Sequence, residues 1–350
     1  MSWHISRLGD VVTLQRGHDL PEAQRQDGDV PVVSSSGITG SHNEPKAKAP
    51  GVVTGRYGTL GEVFYVEEDY WPLNTALYVT DFKGNHPRFV AYFLQNVLRN
   101  YQSDKAAVPG VNRNVLHELK VRSTDTKSQE KVADILSAYD GLIENNRRRM
   151  VLLEEAARQL YREWFVRLRF PGHEYTRITN GVPEGWERKT LGDRVTLNYG
   201  KALKAEVRVE GPCPVYGSSG IVGMHEKALA VAPGIVVGRK GNVGTVFWCP
   251  KDYWPIDTAY FIDAETSNLW LFYALKHMHF ISTDVAVPGL NRDFAYSTPL
   301  LVPEPRIVRD FLDTAVPLHE QITKLNEMNE KLRAARDLLL PRLMSGEIAV

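Results

Sequence analysis

The chain has 350 residues, 43% of them hydrophobic and 24% charged, with 42 basic and 42 acidic side chains. That length suits roughly two domains with their own cores. Zero formal charge excludes the global basic field that drives nonspecific nucleic-acid binding, while leaving room for a binder whose partners supply much of the phosphate contact. No run approaches the roughly 18 apolar residues of a membrane span, and Met1-Ser2-Trp3-His4-Ile5 lacks a signal peptide's apolar core. Cys213 and Cys249 offer neither zinc spacing nor a disulfide framework, so a reduced, cytoplasmic protein away from the membrane is expected.

In chain order, residues 8–122 alternate short β-rich runs with Gly, Pro, Ser and Asn. Val30–Val33, Gly51–Thr54, Glu62–Val66 and Ala76–Val79 are predicted strands. A helix is predicted over Pro87–Arg99, where Phe89, Phe93, Val97 and Leu98 recur at helical spacing and Pro87 suits the first turn. The period then changes to about 3.5: Val132, Ile135, Leu136, Tyr139, Leu142, Ile143, Asn146, Met150, Leu153, Ala157, Leu160, Tyr161 and Trp164 step by three and four. At about 1.5 Å per residue this helix is roughly 50 Å long. Residues Phe170 to Trp186 are polar and punctuated by Gly and Pro, a predicted linker ending in a turn.

A second β-rich stretch follows, with its helix over Asn268–Met278. A second long stripe then runs through Phe311, Leu318, Ile322, Leu325, Asn329, Leu332, Ala335, Leu339 and Leu343. A stripe this long needs a partner, and its own duplicate is the obvious one; a two-fold arrangement sets the pair antiparallel. Aligning Leu142 with Leu318 (142 + 176 = 318) puts Gly141 and Pro317 at corresponding places, and these breakers predict a kink or a helix start there. The expected fold class is α+β. Two homologous, mostly-β domains are each followed by a long α-helix, and the two helices pack as an antiparallel coiled coil with pseudo-two-fold symmetry. The expected boundaries are 1–126, 127–168, 169–305 and 306–350.

The duplication is explicit. Residues 49–65 match residues 232–248 at 10 of 17 positions, a shift of 232 − 49 = 183. The same shift relates Leu8-Gly9-Asp10 to Leu191-Gly192-Asp193, Ser35-Ser36-Gly37-Ile38 to Ser218-Ser219-Gly220-Ile221, and Asp69-Tyr70-Trp71-Pro72 to Asp252-Tyr253-Trp254-Pro255. A period this long is a duplicated domain rather than a solenoid repeat.

No catalytic or metal constellation is found: there is no Asn/Asp-Pro-Pro-Tyr/Phe methylation motif, P-loop, His-Glu-x-x-His or metal-spaced Cys/His set. His319-Glu320 is expected on a solvated helix face. Glu118-Leu119-Lys120 imitates the tail of a nuclease centre but has no equivalent in the second half. Gly55-x-x-Gly58-x-x-Gly61 and Gly238-x-x-Gly241-x-x-Gly244 lack dinucleotide-fingerprint spacing and a following helix, so each is predicted to be a glycine-shaped hairpin.

At the hairpin tips the frame is kept while exposed polar residues change: Arg56, Tyr57 and Thr59 against Arg239, Lys240 and Asn242. Neighbouring loops follow suit, with Ser34, Ser35 and Ser36 against Ser218 and Ser219, Asn74 and Thr75 against Asp257 and Thr258, and Asn112 and Arg113 against Asn291 and Arg292. Tyr216 completes the set. Arg and Lys can bond guanine, Asn adenine, Asp the cytosine amino group, and Ser or Thr either base or phosphate, so these are the candidate DNA-binding residues. An equally open alternative has Asn112 and Asn291 capping turns and Arg56 and Arg239 pairing locally.

With the helices, these residues carry a resemblance to the specificity subunits of Type I restriction-modification systems over essentially the whole chain. It rests on Leu-Gly-Asp, Ser-Ser-Gly-Ile, Gly-Arg-x-Gly-x-x-Gly, Trp-Pro-x-x-Thr-Ala and Val-Pro-Gly-x-Asn-Arg in both halves. Trp164-Phe165-Val166, Val182-Pro183-Glu184-Gly185-Trp186 and Leu343-Met344-Ser345-Gly346-Glu347-Ile348 extend it. The resemblance implies two target recognition domains, each reading half of a split, asymmetric double-stranded DNA site. It also implies helices docking two methyltransferase subunits, with Ile135, Tyr139, Leu142, Leu153, Leu160, Trp164, Phe311, Leu318, Leu325, Leu332 and Leu339 as the docking stripe. The complex would use S-adenosylmethionine to methylate adenine, and restriction/translocase subunits would add ATP and magnesium. This chain would bind no cofactor. The alternatives are a specificity subunit whose partner fuses methyltransferase and nuclease, a nuclease using Glu118 and Lys120, and a coiled-coil scaffold with two protein-binding heads.

Overall fold

The β-branched runs between glycine-bearing turns form short strands in the computed structural model, which describes residues 3–56, 61–99, 101, 112–278, 280 and 289–350. The first half contains β1 (His4–Arg7), α1 (Leu8–Val11), β2 (Thr13–Arg16), β3 (Val30–Ser34), β4 (Gly37–His42), β5 (Gly51–Gly55), β6 (Val63–Val66), β7 (Trp71–Pro72) and β8 (Ala76–Asp81). It continues with α2 (Pro87–Arg99), α3 (Arg113–His117), β9 (Lys120–Ser123) and α4 (Thr126–Tyr161). The second half contains β10 (Ile178–Thr179), β11 (Val182–Pro183), β12 (Glu187–Thr190), β13 (Asn198–Tyr199), β14 (Cys213–Gly217), β15 (Gly220–His225), β16 (Gly234–Gly238), β17 (Val246–Cys249), β18 (Trp254–Pro255) and β19 (Ala259–Ile262). It closes with α5 (Leu269–His277), α6 (Arg292–Tyr296), β20 (Pro299–Val302) and α7 (Pro305–Ser345). Among the described residues, no helix is long and apolar enough to cross a membrane.

Two compact units result, one of Met1–Asn146 with Met328–Val350 and one of Arg147–Glu327, so each owns one β-domain and a stretch of both long helices. In the first, the antiparallel sheet β2-β8-β5-β6 accompanies the sheet β4-β3-β7, and β1 pairs with β9. In the second, β13-β19-β16-β17, β15-β14-β18 and β12-β20 repeat that order. The register repeats as well. Val53 faces Phe64 and Tyr78, and Val236 faces Phe247 and Phe261, each shifted by 183. A Cβ at Gly51 would enter the ring of buried Tyr70, and one at Gly234 the ring of buried Tyr253. Both frames therefore require glycine where a tyrosine crosses a strand.

In the first unit, Phe89, Phe93 and Leu94 of α2 pack with Val132 and Leu136 of α4 and Leu340 and Leu343 of α7. The helices are antiparallel there: Arg336 Nη1 donates to Asp140 Oδ1 at 2.5 Å, and Asn146 Nδ2 donates to Asn329 Oδ1 at 2.9 Å. Tyr92 also donates to Asp140, tying α2 to both long helices. In the second unit, Trp270 and Tyr273 of α5 pack with Ala157 and Tyr161 of α4 and Phe311 and Ala315 of α7. There Tyr161 meets Phe311, while the earlier Glu154 lies beside the later His319, so the helices again oppose.

Several expectations need correction. Both long helices run unbroken through Gly141 and Pro317, so neither residue starts a helix. Gly141 is exposed, and the Asp313 carbonyl, which loses its helical partner to Pro317, belongs to an exposed residue that water can serve. The two helices start at Thr126 and Pro305, a shift of 305 − 126 = 179, so Pro317 corresponds to Ala138 rather than to Gly141. Leu142 is exposed at 52%, outside the packed stripe. His319 is not solvated, being ringed by Trp248, Phe272 and Tyr273. The expected linker is ordered: Asn180-Gly181, both at positive φ, turn β10 into β11. At its ends Phe170 and Trp186 are buried, their rings 5.0 Å apart and tilted by 34°.

Candidate nucleic-acid interface

In the second unit β16 ends at Gly238, and the next residues are pinned by backbone bonds. The Arg239 and Lys240 amides both donate to the Thr258 carbonyl, at 2.9 and 3.0 Å, and the Leu290 amide donates to the Arg239 carbonyl at 2.8 Å. Gly244 N–H returns to the Gly238 carbonyl at 2.9 Å, closing the glycine turn. Thr245 Oγ1 donates to the Ser218 carbonyl at 2.6 Å, and Asn242 Nδ2 to Ser219 Oγ at 3.0 Å. The fold thus gathers Ser218, Ser219, Arg239, Lys240, Asn242, Thr258, Asn291 and Arg292 around one tip, with exposed Asp257 beside them.

A cleft of about 230 Å³ opens here between Tyr199, Arg239, Tyr260 and Arg292. The Arg239 guanidinium lies 5.0 Å from the ring centre of Tyr199 and 5.6 Å from that of Tyr260, while Arg292 lies 5.1 Å from Tyr199. Arg239 Nη1 also donates to the Asp257 carbonyl at 3.1 Å. Burial, reinforced by the Tyr199 hydroxyl and opposed by Arg239, pushes the Tyr260 hydroxyl above the ordinary tyrosine range. It stays protonated and donates to the Leu290 carbonyl at 3.1 Å.

The first unit uses the same frame with different chemistry. Arg56 N–H donates to the Thr75 carbonyl at 3.0 Å, matching Arg239 on Thr258. Arg16, at the place of Tyr199, donates through Nε to the Asn74 carbonyl at 3.4 Å, and the Asn74 side chain bonds Asp19. Tyr57 and Thr59 lie outside the described residues. Arg113 and Asn112 are exposed at the start of α3, which is anchored to β2 because His117 Nε2 accepts the Leu14 amide at 3.0 Å. Burial, with Arg113 and Lys83 nearby, holds that imidazole below its usual value, as an acceptor requires. Tyr296 performs the same task for Leu197 in the second unit.

Not every sequence candidate is available to a ligand. Tyr216 is buried against Tyr253 and Cys249 and belongs to the core. Ser34 and Ser218 are buried too; Ser34 Oγ donates to the Gly37 carbonyl while Ser35 and Ser36 lie nearer the surface. Asn112 and Asn291 are helix N-caps. Asn291 Oδ1 accepts from both Asp293 and Phe294 amides, which fills its lone pairs and removes the acceptor that a bidentate adenine contact needs. Asn112 Oδ1 accepts from the Asn114 amide.

Of the helix-stripe residues, Phe311 and Leu325 are buried inside the chain; Ile135, Tyr139, Leu153, Leu160, Trp164, Leu318, Leu332 and Leu339 are half-buried. Glu118 pairs with Arg7 at 2.9 Å. Arg16, Asp19, Tyr199 and Tyr260 were missed as candidates. The signal was present, since the 183 shift sets Arg16 against Tyr199 and Asp19 against Ala202 within otherwise matched runs.

Residues 1–155 match the family model described as the Type I restriction modification DNA specificity domain. The chain is 24% identical over 281 residues to the Type I restriction enzyme MjaIX specificity subunit of Methanocaldococcus jannaschii, an alignment covering 71% of this chain and 65% of that one. It is 24% identical over 117 residues to the MjaVIII specificity subunit of the same organism, 33% of this chain and 28% of that one. The chain therefore spans less than two thirds of the length of either relative. In fold it resembles the S subunit of a Type I restriction-modification system from M. genitalium, with a TM-score of 0.62 at 16% identity, covering 98% and 96% of the two chains.

Proposed function

We propose that this chain, whose residues 1–155 match the model of the Type I restriction modification DNA specificity domain, is the DNA-reading, non-catalytic subunit of a methylating complex. Each unit reads one half of a two-part, asymmetric site in double-stranded DNA. The half-buried residues of α4 and α7 receive two methyltransferase subunits, which bring S-adenosylmethionine and methylate adenine. Restriction subunits, with ATP and magnesium, complete the assembly.

The observation that carries this reading is a frame repeated to the register, Val53 on Phe64 and Val236 on Phe247, whose tips present different side chains. A repeated frame supports the same task done twice, and unlike tips support two targets. Arginines held by backbone bonds at a strand end are suited to base edges or phosphates. The opposed stretches of α4 and α7 already satisfy one side of each stripe, which leaves the half-buried residues for partners.

The test exchanges residues 1–126 for the equivalent part of a relative and maps methylated sequences of the assembled complex. One half of the sequence should change; alteration of both halves, or of neither, would sink the reading.

A further inference from the structure

Tyr199 ends β13, is 51% exposed, and has two guanidinium groups about its ring, Arg239 at 5.0 Å and Arg292 at 5.1 Å. An exposed aromatic ring in water gains from such cations, and the long arginine side chains lose rotamer freedom before any ligand arrives. Arg292 Nε is buried with no hydrogen-bond partner among the described residues. Buried donors are normally satisfied, so an unmet one on the wall of a cleft calls for an acceptor from outside. Arg239 spends Nη1 on the Asp257 carbonyl and keeps further N–H groups. Matching positions of the first unit carry Arg16 and Leu77 in place of Tyr199 and Tyr260. Among the described residues this ring-and-arginine arrangement is found in the second unit.

Resting on the reading above, we propose that Tyr199 is a positioning residue that sets Arg239 and Arg292 to read a guanine in the half-site of the second unit. Guanine presents two acceptors, O6 and N7, to the major groove, and an arginine fork matches them. Phosphate oxygens offer the same acceptor chemistry without sequence information, and the experiment separates the two.

The full chain, assembled with its methyltransferase subunit, is assayed for methylation of duplexes in which each base pair of the mapped site is replaced in turn. Tyr199→Ala should reduce discrimination at a G·C pair of one half-site by on the order of tenfold, leaving the other half untouched. Tyr199→Phe, which keeps the ring, should preserve wild-type selectivity. Tyr199→Leu, which keeps bulk without a π face, should behave as the alanine variant and decides the matter if that variant does not fold. Equal weakening on every duplex would assign the arginines to phosphate and overturn the proposal. So would an effect in both half-sites, or failure of the phenylalanine variant to retain selectivity. A wild-type complex without a two-part site overturns the parent reading and this one together. A specific wild type with unchanged alanine and leucine variants overturns this one alone.

Discussion

The two units place different chemistry on one scaffold. Strand order, register and the glycine under a crossing tyrosine are the same in both, yet Arg16, Asp19 and Asn74 cluster at the first tip where Tyr199, Ala202 and Asp257 stand in the second. A carboxylate thus sits on a different loop in each unit, and a cation in one is an aromatic ring in the other. The contrast lies at exposed strand ends, where substitution costs little stability and changes what a ligand meets. It also extends to the supports. Fourteen residues into each long helix, Asp140 bonds Tyr92 in the first unit and His319 bonds Tyr273 at 2.7 Å in the second.

The largest expected effect breaks the likeness of the supports. Phe311 and Val132 occupy the same place, six residues into α7 and α4, and both are fully buried. Phe311→Ala should cost about 3–5 kcal/mol and Val132→Ala distinctly less, read as urea midpoints; equal losses would mean the two supports are not matched as described.

The next effect concerns acid. Burial among aromatic rings, opposed by Glu154 and reinforced by Lys276, pushes the His319 imidazole down to about 4 from 6.5. A depressed folded-state value means the unfolded chain binds the proton more readily. The resulting stability is complete above pH 6.5 and is lost as pH falls toward 4, and at neutral pH it is worth about 3 kcal/mol. Thermal melts across that window should show the loss in the wild type and a flatter profile in His319→Gln; identical profiles would place the imidazole elsewhere.

A smaller effect is expected at the buried asparagine pair. Asn329→Leu leaves Asn146 without its partner and should cost about 1–3 kcal/mol. The double change Asn146→Leu with Asn329→Leu should recover much of that, whereas additive losses would deny the coupling. The smallest sharpens the likeness: Asn112→Ala and Asn291→Ala should each cost about 1 kcal/mol, and a neutral result at either would argue against its capping role.

Local patterns were legible where one period dominated. Pro87–Arg99 is helical over those same residues, and Asn268–Met278 holds a helix whose two caps are Asn268 and Met278. What escaped depended on contacts distant in sequence. Pro317 reads as a break because its missing N–H is visible locally, whereas the packing of Phe311 and Ala315 that carries the helix past it is not. Tyr216 reads as a surface residue beside Ser218 and Ser219, but its ring turns inward to Tyr253, 37 residues on (253 − 216 = 37). The Asn180-Gly181 hairpin carried a local signal that the surrounding polar composition masked. At the tips, the arginines were visible as differences between copies, but the ring beneath Arg239 lies on a strand 40 residues earlier (239 − 199 = 40).

The most direct test is a map of methylated adenines made by the unaltered chain with its methyltransferase subunit. Under the proposed function, two unlike tips on one repeated frame predict a two-part sequence whose halves differ and do not form a palindrome. A palindromic or single uninterrupted sequence would contradict the claim that each unit reads its own half-site.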